Sequence, residues 1–334
     1  MARRDFVALL VLLLIVVGMP LATLGYQYWL RPSLASTPII EIAMRVPQEG
    51  GFEPGAITVE TGQPVTLRFA ALDVTHGVAI GPGVGVDLGH IDPGKVREIT
   101  LTFDQPGTYT YYCNAWCSPD HWRMRGTIQV IDPARPAYVP PVSPDPVIEA
   151  LIAEGVDLDA RHSDGQEHGT VETVPFERSP SAQRGQQLSA HVILPDAVRD
   201  PAWRRSHTPA HALELLTAAN PQAVRADLMD VVAYLWTADE RPGTSVDART
   251  LYNKNCAACH GQFGGGDGPA ADTTAEKPVS FADPAYMFEM RSDVLYAKIR
   301  RGGMGTDMPN FGTVFTPEET WALVHYLWSL AFKG

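Results

Sequence analysis

Four cysteines stand in two close pairs in a chain of 334 residues. A disulfide scaffold of this size would use more of them, so the pairs read as cofactor chemistry. The second pair lies in the run Cys256-Ala257-Ala258-Cys259-His260. On one helical turn two such thiols can reach the two vinyl groups of a haem, and the adjacent imidazole then points at the iron. A thioether on the opposite side raises the redox potential, and "GGMGTDMPNF" offers Met304 and Met308 for it. Zinc would need two further ligands, and no other cysteine or paired histidine lies nearby in this segment. A thioredoxin-like pair would need a βαβ pattern, which is absent.

The first pair sits in "CNAWCSPDHWRM", which gathers Cys113, Cys117, His121 and Met124 within twelve residues. His76 lies upstream in "DVTHGVAI", where a neighbouring strand can carry it to the same end of a β unit. Two thiolates, two imidazoles and a thioether form a soft, mixed set suited to copper, and two bridging thiolates can hold a dinuclear centre. The residues alone leave open a Cys113–Cys117 disulfide and a two-Cys, two-His zinc site. A mononuclear blue-copper site of His76, Cys117, His121 and Met124 also stays open.

These residues need elements to hold them. Residues 38–133 predict an all-β sandwich, from "AITVETGQPVTLRF", "VREITLTF", "GTYTYYC" and "GTIQVI" with Gly/Pro punctuation. "DPARPAYVPPVSPDP" predicts an extended linker, and "SDGQEHGTVETVPFERSPSAQRG" a loop. "HTPAHALELLTAANPQAVRADLMDVVAYLWT" has helical periodicity, so residues 134–245 read as linker plus a mostly helical, acidic middle segment. "DVVAYLWT" echoes "ALVHYLWS" further on, which suggests a haem-free cytochrome-like middle unit or two helices that share a few common residues. Residues 246–334 predict an all-α domain. In it "SDVLYAKIRRGG" starts on a Ser292 cap and stops at Gly302, and Thr316 caps a helix with Pro317 at its first position and Glu319 closing a capping box. The two helices that flank the haem should pack through Leu251, Tyr326 and Trp328.

Phe6 to Leu30 carries no charge, and 25 residues at about 1.5 Å each can cross a hydrocarbon core of roughly 30 Å. Arg3 and Arg4 before it place the N-terminus in the cytoplasm, so residues 1–37 read as a single transmembrane helix with the other domains outside the cytoplasmic membrane. A cleaved signal peptide is the alternative. The net charge of −12 argues against nucleic acid as a partner. No Ser/His/Asp set, phosphate loop or paired catalytic carboxylates stand out, so the chain holds no complete active site of its own.

The spacing of Cys113, Cys117, His121 and Met124, with "GGFEPGAITVETGQPVTLRFAALDVTHGVAI" before it, resembles the CuA cupredoxin domain of cytochrome c oxidase subunit II. The resemblance implies that Cys113 and Cys117 bridge two coppers and that His76 and His121 each cap one. It also implies that Met124 and the Ala115 carbonyl are weak ligands. Ala115 replaces a glutamate common in the family, so no magnesium site is expected from it. The single anchor is similar to the B-type haem–copper oxidases. "LYNKNCAACHG", "GDGPAA", "KPVSF" and "MPNF" resemble class I cytochromes c in family order, which favours Met308 as the distal haem ligand. Together these imply an electron-transfer subunit of a respiratory terminal oxidase, with haem c feeding CuA. The implied partners are a haem–copper subunit I that reduces oxygen, an external donor such as cytochrome c, and the membrane. The alternatives are the electron-entry subunit of a CuA-type nitric oxide reductase, or a membrane-tethered shuttle without an enzyme partner.

Overall fold

The computed structural model describes residues 7, 11–30, 37–138, 140, 144–159, 176–238, 247–303 and 306–332. Helix α1, Val11–Leu30, is long and apolar enough to cross a membrane, with a mean hydropathy of 1.7 and none of that stretch buried. Arg3 and Arg4 lie outside the described residues.

Among the described residues nine strands follow in two sheets. The first orders β2 (Phe52–Glu53), β1 (Ile39–Met44), β4 (Pro64–Ala71) and β7 (Val96–Thr102). The second orders β3 (Ala56–Glu60), β9 (Arg125–Ile131), β8 (Gly107–Tyr112), β5 (His76–Gly81) and β6 (Val86–Ile91). Alternation explains the sandwich. Val65, Leu67, Phe69 and Ala71 of β4 point inward, as do Ile128 and Val130 of β9, while their neighbours are more exposed. Phe52, Phe69 and Tyr111 meet edge to face, with centroids 5.1–6.3 Å apart. Gly126 gives that cluster its space, because a Cβ there would fall 2.0 Å from the Tyr111 ring.

The helical part begins earlier than the sequence pattern suggested. Asp145 and Pro146, the last residues of the expected linker, start α2 (Pro146–Ala153): the Asp145 carboxylate accepts from the Val147 N–H and Pro146 sits in the first turn. The expected loop through Gly185 also ends in a helix, α3 (Ala182–Leu188), capped by Ser181. Short turns α4 (Asp196–Arg199) and α5 (Pro201–Ser206) lead to α6 (Pro209–Ala219) and α7 (Arg225–Thr237). Helices α3 and α7 cross so closely that a Cβ on Gly185 would meet the Asp230 carbonyl oxygen at 1.8 Å. The fully buried Asp230 carboxylate takes hydrogen bonds from Arg184 Nε (2.9 Å), Arg178 Nη2 (2.5 Å) and the Ser181 N–H (2.7 Å).

Next come α8 (Ala248–Asn255), α9 (Ala257–His260), α10 (Pro284–Phe288), α11 (Ser292–Arg301) and α12 (Pro317–Ala331). The capping box at Thr316 and Glu319 forms, and Gly302 ends α11 with φ at 77°. Ser292 is not the cap of α11. Arg291 holds that position without a side-chain bond, because the Ser292 hydroxyl accepts from Trp328 Nε1 at 3.1 Å. Helices α8 and α12 do pack together, through Tyr252 and Tyr326, whose rings lie 5.2 Å apart. Trp328 turns instead toward Trp236 of α7 (6.4 Å), so the middle helices and the C-terminal helices share one core.

Candidate functional site

Strand ends and one tight loop assemble the first site. His76 is the first residue of β5 and is fully buried. Cys113 follows directly on β8, and its N–H donates to the Met124 carbonyl (3.0 Å) at the start of β9. That bond closes the 113–124 loop. Inside it a 3-10 turn, His121–Arg123, presents His121 inward. Cys113 and Cys117 are free thiols with sulfurs 4.0 Å apart, about twice the disulfide distance, so the structure joins them by no disulfide. Cys117 Sγ lies 3.5 Å from Met124 Sδ, and Cys113 Sγ lies 3.2 Å from the Ala115 carbonyl oxygen. Ligand atoms of His76, Cys113 and Cys117 fall within 4.8 Å of one another.

Electrostatics favour a cation here. The two thiols share a proton: Cys113 is driven far below the ordinary thiol range, first by its hydrogen bond with Cys117, against its burial, with His121 and His76 assisting. Cys117 is driven up, first by the same bond and then by burial. Burial opposes the charged form of His76, but the neighbouring Cys113 thiolate and the Asp73 carboxylate outweigh it and raise its pKa. Asp73 Oδ1 holds His76 Nε2 at 2.7 Å, and the Val46 and Val74 N–H groups fix that carboxylate at 2.6 Å each. With Nε2 occupied, Nδ1 is the nitrogen left for a ligand bond, and the Nδ1 atoms of His76 and His121 are both buried without a hydrogen-bond partner. A buried nitrogen without a partner beside a thiolate fits a soft metal ion.

The second site is a cavity. Its empty volume is about 1,320 Å³ with its open mouth, and Cys256, Cys259, His260 and Met308 all line it. Met304 lies outside the described residues. His260 stacks on Phe281 (4.6 Å), and its Nδ1–H donates to the Val279 carbonyl at 3.1 Å. That bond fixes the tautomer and leaves Nε2 with a lone pair. Burial keeps His260 neutral by lowering its pKa and pushes the Cys256 thiol up to about 12, with Cys259 adding to the latter. Gly261, with φ at 77°, lets the chain turn under the histidine, and the Tyr252 hydroxyl donates to its carbonyl at 2.8 Å. Two thiols, a neutral imidazole and a thioether around one apolar cavity fit a covalently bound haem.

The two sites are not separate. Tyr112, Cys113, His121, Trp122 and Arg125 of the β unit line the same cavity. The sequence reading missed this shared wall, and with it Asp73, Asp87 and Arg125. Arg125 stacks on Phe311 (5.4 Å to the ring) and donates to the Asn310 carbonyl. Trp122 lines the cavity, whereas Trp116 packs edge-on against the His121 ring (5.5 Å) and is 36% exposed.

Comparison with known proteins agrees with these two units. Residues 10–130 match the family described as cupredoxin-like domain, and residues 245–331 match cytochrome c. The chain therefore joins a cupredoxin-like domain, whose fold implies copper, to a C-terminal cytochrome c domain, which implies haem. Among individual proteins it is similar to cytochrome c oxidase subunit 2 of Albinaria turrita, 24% identical over 124 residues that cover 34% of this chain and 54% of that protein. The chain thus spans about half the length of the curated relative it matches. Among solved structures it is similar to the periplasmic domain of subunit II of cytochrome oxidase from Bradyrhizobium japonicum, at 19% identity and a TM-score of 0.25, over 30% of this chain and 87% of that one. A chain of a heme-copper terminal oxidase dimer matches at 20% identity and a TM-score of 0.24, over 38% and 99%. Reduced auracyanin from Roseiflexus castenholzii matches at 23% and 0.23, over 29% and 98%.

Proposed function

We propose that this chain is the electron-entry subunit of a respiratory haem–copper terminal oxidase, which takes electrons from an external donor at haem c and hands them through a dinuclear copper site to a catalytic membrane subunit. The observation that carries this reading is the shared wall: Cys113 and His121 border the cavity that Cys256, Cys259, His260 and Met308 border from the other side.

Cys113, Cys117, His76 and His121 would hold the copper, with Met124 and the Ala115 carbonyl as weaker donors. Cys256, Cys259, His260 and Met308 would hold the haem, the two thiols as its covalent tethers. When bound, both groups supply reversible one-electron chemistry. The residues do the positioning. Asp73 orients His76, the Val279 carbonyl orients His260, and the β8–β9 ladder fixes both ends of the copper loop. A Met308 thioether holding the haem would favour its reduced state, since a thioether is a weak donor to an oxidised metal. Helix α1 anchors the unit, with the N-terminus in the cytoplasm and both domains on the outer face.

Residues 176–238 would act as a haem-free brace. They contain no cysteine, they cross two helices at Gly185, and they bury Trp236 against Trp328.

The partner claim is tested by purifying the tagged chain in mild detergent and measuring gas consumption with a reduced donor. Recovery with a haem–copper membrane subunit that consumes oxygen is expected. Recovery of the chain alone, or of a complex that consumes only nitric oxide, would overturn it.

A further inference from the structure

The geometry points to Asp87 as a positioning residue that sets the register of the haem domain on the copper loop, through one carboxylate oxygen shared by Asn114 and Lys254. This rests on the electron-transfer reading above.

A bulge puts Asp87 in place. Along the β5–β6 pair, Val78 faces Gly89 and Ala79 faces Asp87, so Leu88 is skipped. An extra residue of this kind re-aims the side chains beyond it. Residues opposite one another in an antiparallel pair share a face, and the Ala79 side of β5 packs into the hydrophobic core of the helical part. Asp87 therefore comes out on the interdomain face. The Gly89 N–H holds Oδ1 at 2.8 Å, which leaves Oδ2 for two donors. One is Asn114 Nδ2, at 3.1 Å. The other is Lys254 Nζ, in a salt bridge.

Both donors sit beside the chemistry. Asn114 lies between Cys113 and Ala115, and Lys254 is two residues before Cys256. Gly77 makes room for Asn114, because a Cβ there would fall 2.2 Å from the Asn114 Oδ1. Close backbone packing surrounds the clamp: a Cβ on Gly81 would meet the Val314 carbonyl oxygen at 2.0 Å. At the other end of the interface Arg125 reaches Asn310 and Phe311. Apolar contact brings the domains together but does not fix rotation, since it is non-directional. A charged, hydrogen-bonded pair gives one rotational register. A small rotation would move the cavity edge relative to Cys113 and His121, and misplacement by about 1 Å is costly to any step that depends on alignment.

The test uses the full-length holoprotein and three variants: K254E, D87K and the charge swap D87K/K254E. Laser-initiated haem-to-copper electron transfer gives one readout. Hydrogen exchange of residues 311–316 reads docking whether or not electrons move. K254E should slow transfer by about tenfold or more, with haem and copper spectra unchanged and faster exchange at 311–316. The charge swap should recover both readouts to within about threefold of wild type. A role confined to folding of the β5–β6 hairpin would leave D87K and the swap equally impaired, which overturns the proposal. K254E indistinguishable from wild type in exchange and transfer also overturns it. If wild type shows no haem-to-copper transfer, the electron-transfer reading fails, and exchange on the same variants still judges the clamp.

Discussion

The copper loop and the haem cavity solve the same problem in opposite ways. The loop is closed by the backbone on both sides, its histidines are buried, and its thiols are already within 4.0 Å of each other. The cavity is a large opening between helices, and Cys256, Cys259 and His260 stand only half-buried around it. Strands fix positions through ladders that cross the whole sheet, so His76, Cys113 and Cys117 already stand within 4.8 Å of one another. Short helices α8, α9 and α10 give the shared core only a few large residues, among them Tyr252, Met287 and Phe288, and the cavity opens beside them.

The sharpest break in that contrast is loss of the haem. In Cys256→Ala/Cys259→Ala, residues 247–332 should lose protection from proteolysis and much of their helical signal, while the β unit keeps its melting transition. The expected loss for the helical unit is on the order of 5 kcal/mol. A helical unit that stays ordered without haem would erase the contrast.

Asp230 tests the brace beneath the haem unit. Asp230→Ala removes the acceptor of Arg184, Arg178 and the Ser181 N–H at a fully buried position. Losing these charge-assisted bonds and leaving the buried Ser181 N–H without its acceptor costs about 3 kcal/mol or more, to be read from denaturant midpoints at constant m. Because α7 shares a core with α12, the haem domain should lose stability with it. Copper removal is the milder counterpart. Chelation should lower the stability of the β unit by about 3–4 kcal/mol and leave its circular dichroism intact. Smaller again, Thr316→Ala removes one half of the capping box and should cost about 1 kcal/mol in thermal melts.

The last effect is on pH. Burial raises the Asp87 pKa, but Lys254, Gly89 and Asn114 outweigh it, so the folded value lies below the ordinary carboxylate range. A depressed folded pKa contributes stability that is fully present above the unfolded value of about 3.9 and is lost as pH falls through the folded one. Exchange at residues 311–316 should therefore quicken below about pH 4, and D87N should flatten that dependence.

Much of this was legible from sequence. Alternation marked β4 and β9 because one face is buried and the other wet. The donor spacing at 113–124 and 256–260 is local, and local spacing survives folding. Thr316, Pro317 and Glu319 marked α12 because a capping box and a first-turn proline both fall within four consecutive residues. Ser292 misled because its hydroxyl serves Trp328, a partner 36 residues away that no local rule sees. Asp145 and Pro146 carried a cap signal that the surrounding prolines disguised. Asp87 gave no signal, since its role depends on a bulge and on a domain contact that spans 167 residues.

The most direct measurement is metal analysis with electron spin resonance on the purified full-length protein. One haem and two coppers per chain are predicted, with a single unpaired electron spread equally over both copper nuclei. One copper per chain with its electron localised on a single nucleus, or zinc in its place, would contradict the account.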